Sequence, residues 1–158
     1  MRTERRLRFV IATCALAAAR GWAADPWPQW RGPAGQGHAE AAHDLPVTWS
    51  EAENVRWKTP LPGRGWSSPV IGGGMVWMTT AVEQPAGADE RQRRLEGNTG
   101  KQPLNVSGPL SLRALGVDLE TGRLVHDVEL LAVADPQPIH ALNSYASPTP
   151  VLAGERLY

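Results

Sequence analysis

Residues 68–77 of this chain read SPVIGGGMVW, and they align without a gap on residues 149–158, which read TPVLAGERLY. Each copy has the composition of a short apolar strand, a turn of small residues and a second strand with an aromatic residue at its tenth position. Just upstream, residues 66–69 (WSSP) match residues 145–148 (YASP) with a two-residue shift. Internal repetition is the mark of proteins built from repeated structural units. The sequence therefore predicts a repeat architecture.

The first 23 residues have the parts of an export signal. A segment with four arginines precedes the apolar residues 9–19, which are fewer than the roughly 20 that a membrane-spanning helix needs. The small residues Gly21 and Ala23 predict cleavage after Ala23. Lipoprotein processing at Cys14 and an uncleaved signal anchor are the alternatives. We expect an exported protein of the periplasm or cell envelope.

Charge and cysteine content exclude two classes of partner and one source of stability. The chain has 16 basic and 16 acidic residues, of which residues 1–23 hold five and one, so the remainder has 11 basic and 15 acidic residues. This balance leaves no basic face for nucleic acid or an anionic membrane. The one cysteine, Cys14, lies in the signal. We therefore expect no disulfide bonds in the mature chain.

Beyond the signal, we divide the chain into an irregular arm at residues 24–54 and a β region at residues 55–158 that contains a polar insert at residues 83–110. Prolines argue against helix in the arm, and the insert has room for a short helix around residues 88–96. We predict strands near residues 55–60, 67–71, 75–81, 112–118, 123–130, 148–152 and 155–158.

One hairpin is signalled by its turn. Gly122 can supply the positive φ that a tight turn needs, and the side chains of Asp118 and Thr121 can bond the turn amides. The chain then has four antiparallel strands followed by a new first strand. Propeller blades have this strand order and connectivity.

Residues 117–126, VDLETGRLVH, resemble the blade signature of PQQ-type β-propeller repeats, the quinoprotein dehydrogenase-like superfamily. In that signature Asp-x-x-Thr-Gly and a spacer precede a tryptophan, a position that His126 takes here, whereas Trp57 keeps the tryptophan of a preceding strand. Residues 27–33 (WPQWRGP) and 142–150 (LNSYASPTP) resemble exported PQQ-like propeller proteins of the planctomycete type.

The resemblance implies an all-β fold, a partial, WD40-like β-propeller of four-stranded antiparallel blades. Propellers close with four to eight blades of roughly 40 residues each, so this chain supplies only about one and a half blades. We therefore expect an N-terminal fragment of a longer protein. The first partner of this fragment would be the remaining blades of that protein.

Five residues lie just before the first strands of the two copies, where the resemblance places the rim of a central channel. Their polar groups could bind an anionic or carbonyl-bearing ligand, with the aromatic rings as stacking surfaces. Alternatively, the rings pack between blades and the polar groups cap loop amides, which is the interpretation that we favour. The five candidates are Arg64, Trp66, His140, Asn143 and Tyr145.

Other side chains have structural interpretations. We expect the tryptophans to pack between blades, His126 to be buried and hydrogen-bonded, and the cluster at Arg91, Arg93 and Arg94 to be solvated. We assign no catalytic residue and no metal ligand.

Three functions follow from the resemblance. The first is a non-catalytic binding or scaffold propeller, whose partner is a protein or small molecule at the propeller face. The second is a PQQ-dependent oxidoreductase, in which PQQ lies over an adjacent cysteine pair beside calcium. This chain has no such pair, so its catalytic part would lie outside these residues, and we expect no enzymatic activity in the chain itself. The third is a carbohydrate-binding module.

Overall fold

Strands predominate in the computed structural model, which describes residues 26–40, 42–43 and 45–158. The expected all-β class is confirmed at this level, since the one helix is short. The signal predicted at residues 1–23 lies outside the described residues. Among those described, no helix has the length and apolar character needed to cross a bilayer. The elements are β1 (Val70–Gly72), β2 (Met75–Pro85), α1 (Ala88–Leu95), β3 (Leu104–Asn105), β4 (Ser107–Asp118), β5 (Leu124–Val133), β6 (Ile139–His140), β7 (Leu152–Ala153) and β8 (Arg156–Leu157).

The main sheet is an antiparallel meander in the order β1-β2-β4-β5. Gly73 and Gly74 make the β1–β2 turn with φ of 61° and 73°, values that residues with a side chain rarely adopt. Strands β2 and β4 pair from Met75 opposite Asp118 to Pro85 opposite Ser107. The excursion between them therefore covers residues 86–106, because both strands extend into the insert delimited from sequence.

The second copy folds into the same hairpin as the first. In β7–β8, Leu152 pairs with Leu157, as Ile71 pairs with Val76 in β1–β2. Because the two pairs occupy equivalent positions of the aligned sequences, the sequence repeat is also a structural repeat.

Two of the predicted strands begin late, after a proline, and a third does not form. The strand predicted at residues 55–60 is wrong, since these residues belong to no strand. Strand β1 begins only after Pro69, and β7 only after Pro150, because proline has no N–H to donate to a ladder. Ahead of β1, the Ser67 hydroxyl accepts the N–H of Thr79 at 3.0 Å and donates to its carbonyl at 3.1 Å. This side chain extends the pairing of the first strand where the backbone does not.

One row across the main sheet consists of two rings above a glycine. Gly116 of β4 lies opposite Trp77 of β2 and opposite His126 of β5. The two rings stack, with centroids 5.2 Å apart and planes at 16°. The expected burial of His126 is wrong, because this residue on the outermost strand is exposed. The His126 ring packs on the Trp77 ring instead of entering the core.

Replacing Gly116 by alanine is expected to lower the free energy of unfolding by about 1–2 kcal/mol. A Cβ atom there would lie 2.9 Å from the Trp77 ring and 3.0 Å from the His126 ring, so the stacked rings would have to move apart. Urea unfolding followed by tryptophan fluorescence measures the change. Gly97→Ala is the control, since nothing lies within 4 Å of its Cβ position. Equal effects of the two substitutions would contradict the crowding at Gly116.

The arm joins the two copies at equivalent positions. Trp27 exchanges two backbone hydrogen bonds of 2.8 Å with Ile71, and the carbonyl of Pro28 accepts the N–H of Leu152 at 2.7 Å. Ile71 and Leu152 occupy the same place in the aligned copies. The arm therefore holds the free edges of β1 and β7 together.

Candidate functional site

A cleft of about 490 Å³ separates the two hairpins. Apolar side chains line most of it, with Trp77 contributed by the first copy, Leu152 and Leu157 by the second, and Pro28 by the arm. The arm thus forms part of the wall of the cleft between the copies.

Two of the predicted site residues, Arg64 and Trp66, precede the first copy. The backbone of Arg64 exchanges hydrogen bonds of 2.9 Å with Ala81 of β2. Its guanidinium donates to Glu83, with Nη2 at 3.0 Å from Oε1. The side chain of Trp66 is about half exposed. The charge of Arg64 is therefore already paired, whereas the Trp66 ring faces solvent.

The other three predicted residues precede the second copy, and their polar atoms bond the local chain. His140 Nδ1 accepts the N–H of Leu142 at 3.1 Å. Asn143 Oδ1 accepts the N–H of Ser144 at 2.9 Å and the hydroxyl of Ser147 at 2.6 Å. These are the bonds that the loop-capping interpretation predicts for His140 and Asn143.

The third of these residues, Tyr145, lies close to the Arg64–Glu83 pair. Its hydroxyl donates to the carbonyl of Gln137 at 2.7 Å. Burial raises the pKa of Tyr145, and the nearby carboxylate of Glu83 raises it further, because both oppose formation of the phenolate.

The segments that lead into the two copies bind each other. The carbonyl of Ala146 accepts the N–H groups of Trp66 at 3.0 Å and Ser67 at 3.1 Å. The hydroxyl of Thr149 accepts the N–H of Ser68 at 3.0 Å. Since residues 66–69 and 145–148 are also the matching segments of the repeat, the copies meet through equivalent parts. The structure therefore joins the chain around Trp66 to the chain around Tyr145 through their backbones.

Sequence reasoning missed the role of Arg94 in the insert. Its side chain is only 12% exposed and donates to Glu90 at 2.6 Å, to the carboxylate of Asp135 and to the carbonyl of Pro136. The solvated interpretation fits Arg91, which is exposed, and is wrong for Arg94. The i,i+4 spacing of Glu90 and Arg94 is a helical ion-pair signal, but nothing local indicates Asp135.

Pairing of β3 with β6 strengthens the same contact, with Leu104 opposite His140. The N–H of Ala141 also donates to the carbonyl of Pro103 at 2.6 Å. The insert therefore packs on the connection that leads into the second copy.

The Asp-x-x-Thr-Gly turn has the hydrogen bonds that its sequence predicts. Asp118 Oδ1 accepts the hydroxyl of Thr121 at 2.6 Å and its N–H at 2.8 Å. These bonds, that of the hydroxyl first, lower the pKa of Asp118 from its ordinary value of 3.8, because they stabilise the ionised form. Gly122 closes the turn with φ of 71°.

The chain is expected to lose stability in acid partly through Asp118. Since its pKa is lower in the folded state, the unfolded chain takes up the proton first, so the contribution of this group is present above the unfolded pKa and is lost as pH falls through the folded pKa. Between about pH 5 and pH 2, Asp118→Asn is expected to flatten the fall in urea midpoint. Thr121→Val, which removes the main donor, should flatten it less. An unchanged slope in Asp118→Asn would contradict this assignment.

Comparison of the chain with protein-family models, curated proteins and solved structures gave no match. Within the described residues, no group of three or more histidine, cysteine, aspartate or glutamate side chains is placed to hold a metal ion. The function is therefore argued from the fold and from the contacts of the described residues.

Proposed function

We propose that this chain is part of a non-catalytic binding or scaffold β-propeller that works in the periplasm or cell envelope. The observation that carries the proposal is the succession of two structural copies. The meander β1-β2-β4-β5 is followed by the β7–β8 hairpin, which starts a second unit in the same register. Successive antiparallel units of this kind are the arrangement of neighbouring propeller blades. The remaining blades would belong to a longer chain.

The outermost strand of the main sheet supports a role in assembly. Val128, Leu130 and Leu131 of β5 are 50–59% exposed, although such side chains are stabilised by burial. In a ring, both faces of a blade pack on neighbours. Blades on either side would cover these side chains.

The polar residues before each copy support binding by shape rather than catalysis. Arg64 is paired with Glu83, and Asn143 holds the Ser144–Ser147 loop. Side chains fixed in this way hold loops to which a protein or small molecule can bind. Loops carried by a rigid scaffold are common binding surfaces.

Two other functions stay open as proposals. A PQQ-dependent oxidoreductase would need its adjacent cysteine pair and calcium ligands in the rest of a longer protein, because Cys14 is the only cysteine here. PQQ absorbance that depends on calcium would favour it. A carbohydrate-binding module gains support from the exposure of three tryptophan side chains, those of Trp30, Trp49 and Trp66. Glycan-array binding lost in Trp66→Ala and Tyr145→Ala would favour this third function.

The first experiment is to sequence genomic DNA through and beyond the codon of Tyr158. Further Asp-x-x-Thr-Gly units in frame would support the propeller, and a stop codon there would contradict the longer chain. Fusion of residues 1–23 to a reporter that is active only after export tests the location. A scaffold protein should bind neither PQQ nor glycans, so saturable binding of either would replace the first function by an alternative.

A further inference from the structure

We infer that the free edge of β8 is a docking site for an antiparallel strand that carries a glycine or another small residue opposite Tyr158. The inference deepens the proposed function, because it specifies which segment of the longer chain completes the second unit. That segment would pair with β8 as β4 pairs with β2 in the first copy.

The first copy shows how such an edge is completed. Strand β2 lies between β1 and β4, with Val76 opposite Val117 and Trp77 opposite Gly116. Val117 is almost fully buried, and Val76 is buried as well. The partner strand β4 therefore covers the second strand of the hairpin.

The second copy presents the same groups without that cover. Val151 and Tyr158 exchange two backbone hydrogen bonds of 2.9 Å. Because successive residues of a strand direct their N–H and C=O groups to opposite edges, those of Leu157 point away from β7. Among the described residues, this sheet has only the strands β7 and β8. The groups of Leu157 are thus the equivalents of those with which Val76 pairs on β4.

The aromatic residue at the tenth position defines what the new strand must carry. In the first copy the ring of Trp77 lies across the backbone of Gly116, where a Cβ atom would be only 2.9 Å from the ring. Tyr158 occupies the position of Trp77, and 68% of its surface is exposed. A strand with a bulky residue opposite Tyr158 would push the ring off the sheet, whereas a small residue lets it lie flat.

In the test, the sequence of residues 78–133 is added after Tyr158 of the full chain. These residues follow Trp77, which is the equivalent of Tyr158. We expect the exchange of the Leu157 amide hydrogen to slow by roughly 100-fold or more, because the amide enters a sheet ladder. The matched control carries valine in place of the copied Gly116. In that control the amide should exchange as fast as in the original chain.

Each other outcome overturns a stated part of the inference. Equal protection in both extensions would remove the small-residue requirement, and no protection in either would remove the docking site. If the Leu157 amide of the original chain is protected and its protection rises with protein concentration, the edge binds a second molecule of this chain instead. Genomic sequence without further repeats would contradict the longer propeller while leaving a protected Leu157 as evidence for the site. Further repeats together with an unprotected Leu157 would support the longer propeller and contradict the docking site.

Discussion

Replacing Gly122 by alanine is expected to lower the free energy of unfolding by about 2–4 kcal/mol, the largest effect of any glycine substitution that we predict. Two costs combine at this position. The residue has φ of 71°, a left-handed conformation that costs an alanine about 1–2 kcal/mol. A Cβ atom would also lie 2.5 Å from the Trp57 ring. Urea unfolding at equilibrium measures the sum.

Trp57 has little freedom to move away from the new methyl group. Its Nε1 donates to the carbonyl of Leu119 at 3.0 Å, and the nearby Thr59 hydroxyl donates to the carbonyl of Gly122. Displacing the ring would therefore break a part-buried hydrogen bond, which costs about 1–3 kcal/mol when the group is left unpaired.

Gly154→Ala separates the two costs. Gly154 has a similar φ of 59°, but nothing lies within 4 Å of its Cβ position. It should lose only the backbone share, about 1–2 kcal/mol. If Gly122→Ala is no more destabilising than Gly154→Ala, the packing of Trp57 on the turn is not as described.

Features set by neighbouring residues could be predicted from the sequence. The β1–β2 turn requires positive φ at Gly73 and Gly74, and glycine adopts it at little cost. The side chain of Asp118 bonds Thr121 three residues away. The repeat itself predicted the second hairpin, because equal sequences with equal turns favour equal local structure.

Features set by distant residues could not be predicted. Trp57 was assigned to a strand from its neighbours, but its partner Leu119 lies 62 residues away. In the candidate site, the sequence shows that the five residues precede the two copies, but it does not indicate the pairing of Arg64 with Glu83 of β2. Such pairs depend on how the sheet brings separate segments together, and a single sequence carries little record of that.

Replacing Arg94 by methionine is expected to lower the free energy of unfolding by about 2–3 kcal/mol. Methionine keeps the apolar length of the side chain and removes the guanidinium. Glu90 and Asp135 would then lose their shared cation, and the carbonyl of Pro136 would lose a donor. Most of the cost comes from the part-buried carboxylate of Glu90 and the carbonyl of Pro136, since Asp135 is largely exposed.

Arg93→Met is the matched control, because Arg93 lies one residue away on the same helix and is exposed. A surface substitution of this kind usually changes stability by less than about 0.5 kcal/mol.

Hydrogen exchange distinguishes local from global effects of Arg94→Met. In Arg94→Met the amide of Ala141, which bonds Pro103, should exchange faster by a larger factor than amides of β2 and β4. The reason is that β2 and β4 pair with each other outside the excursion at residues 86–106, so the main sheet should survive release of that excursion. Equal acceleration of exchange in both regions would mean that the insert is an integral part of the sheet rather than a clamp on the connection to the second copy.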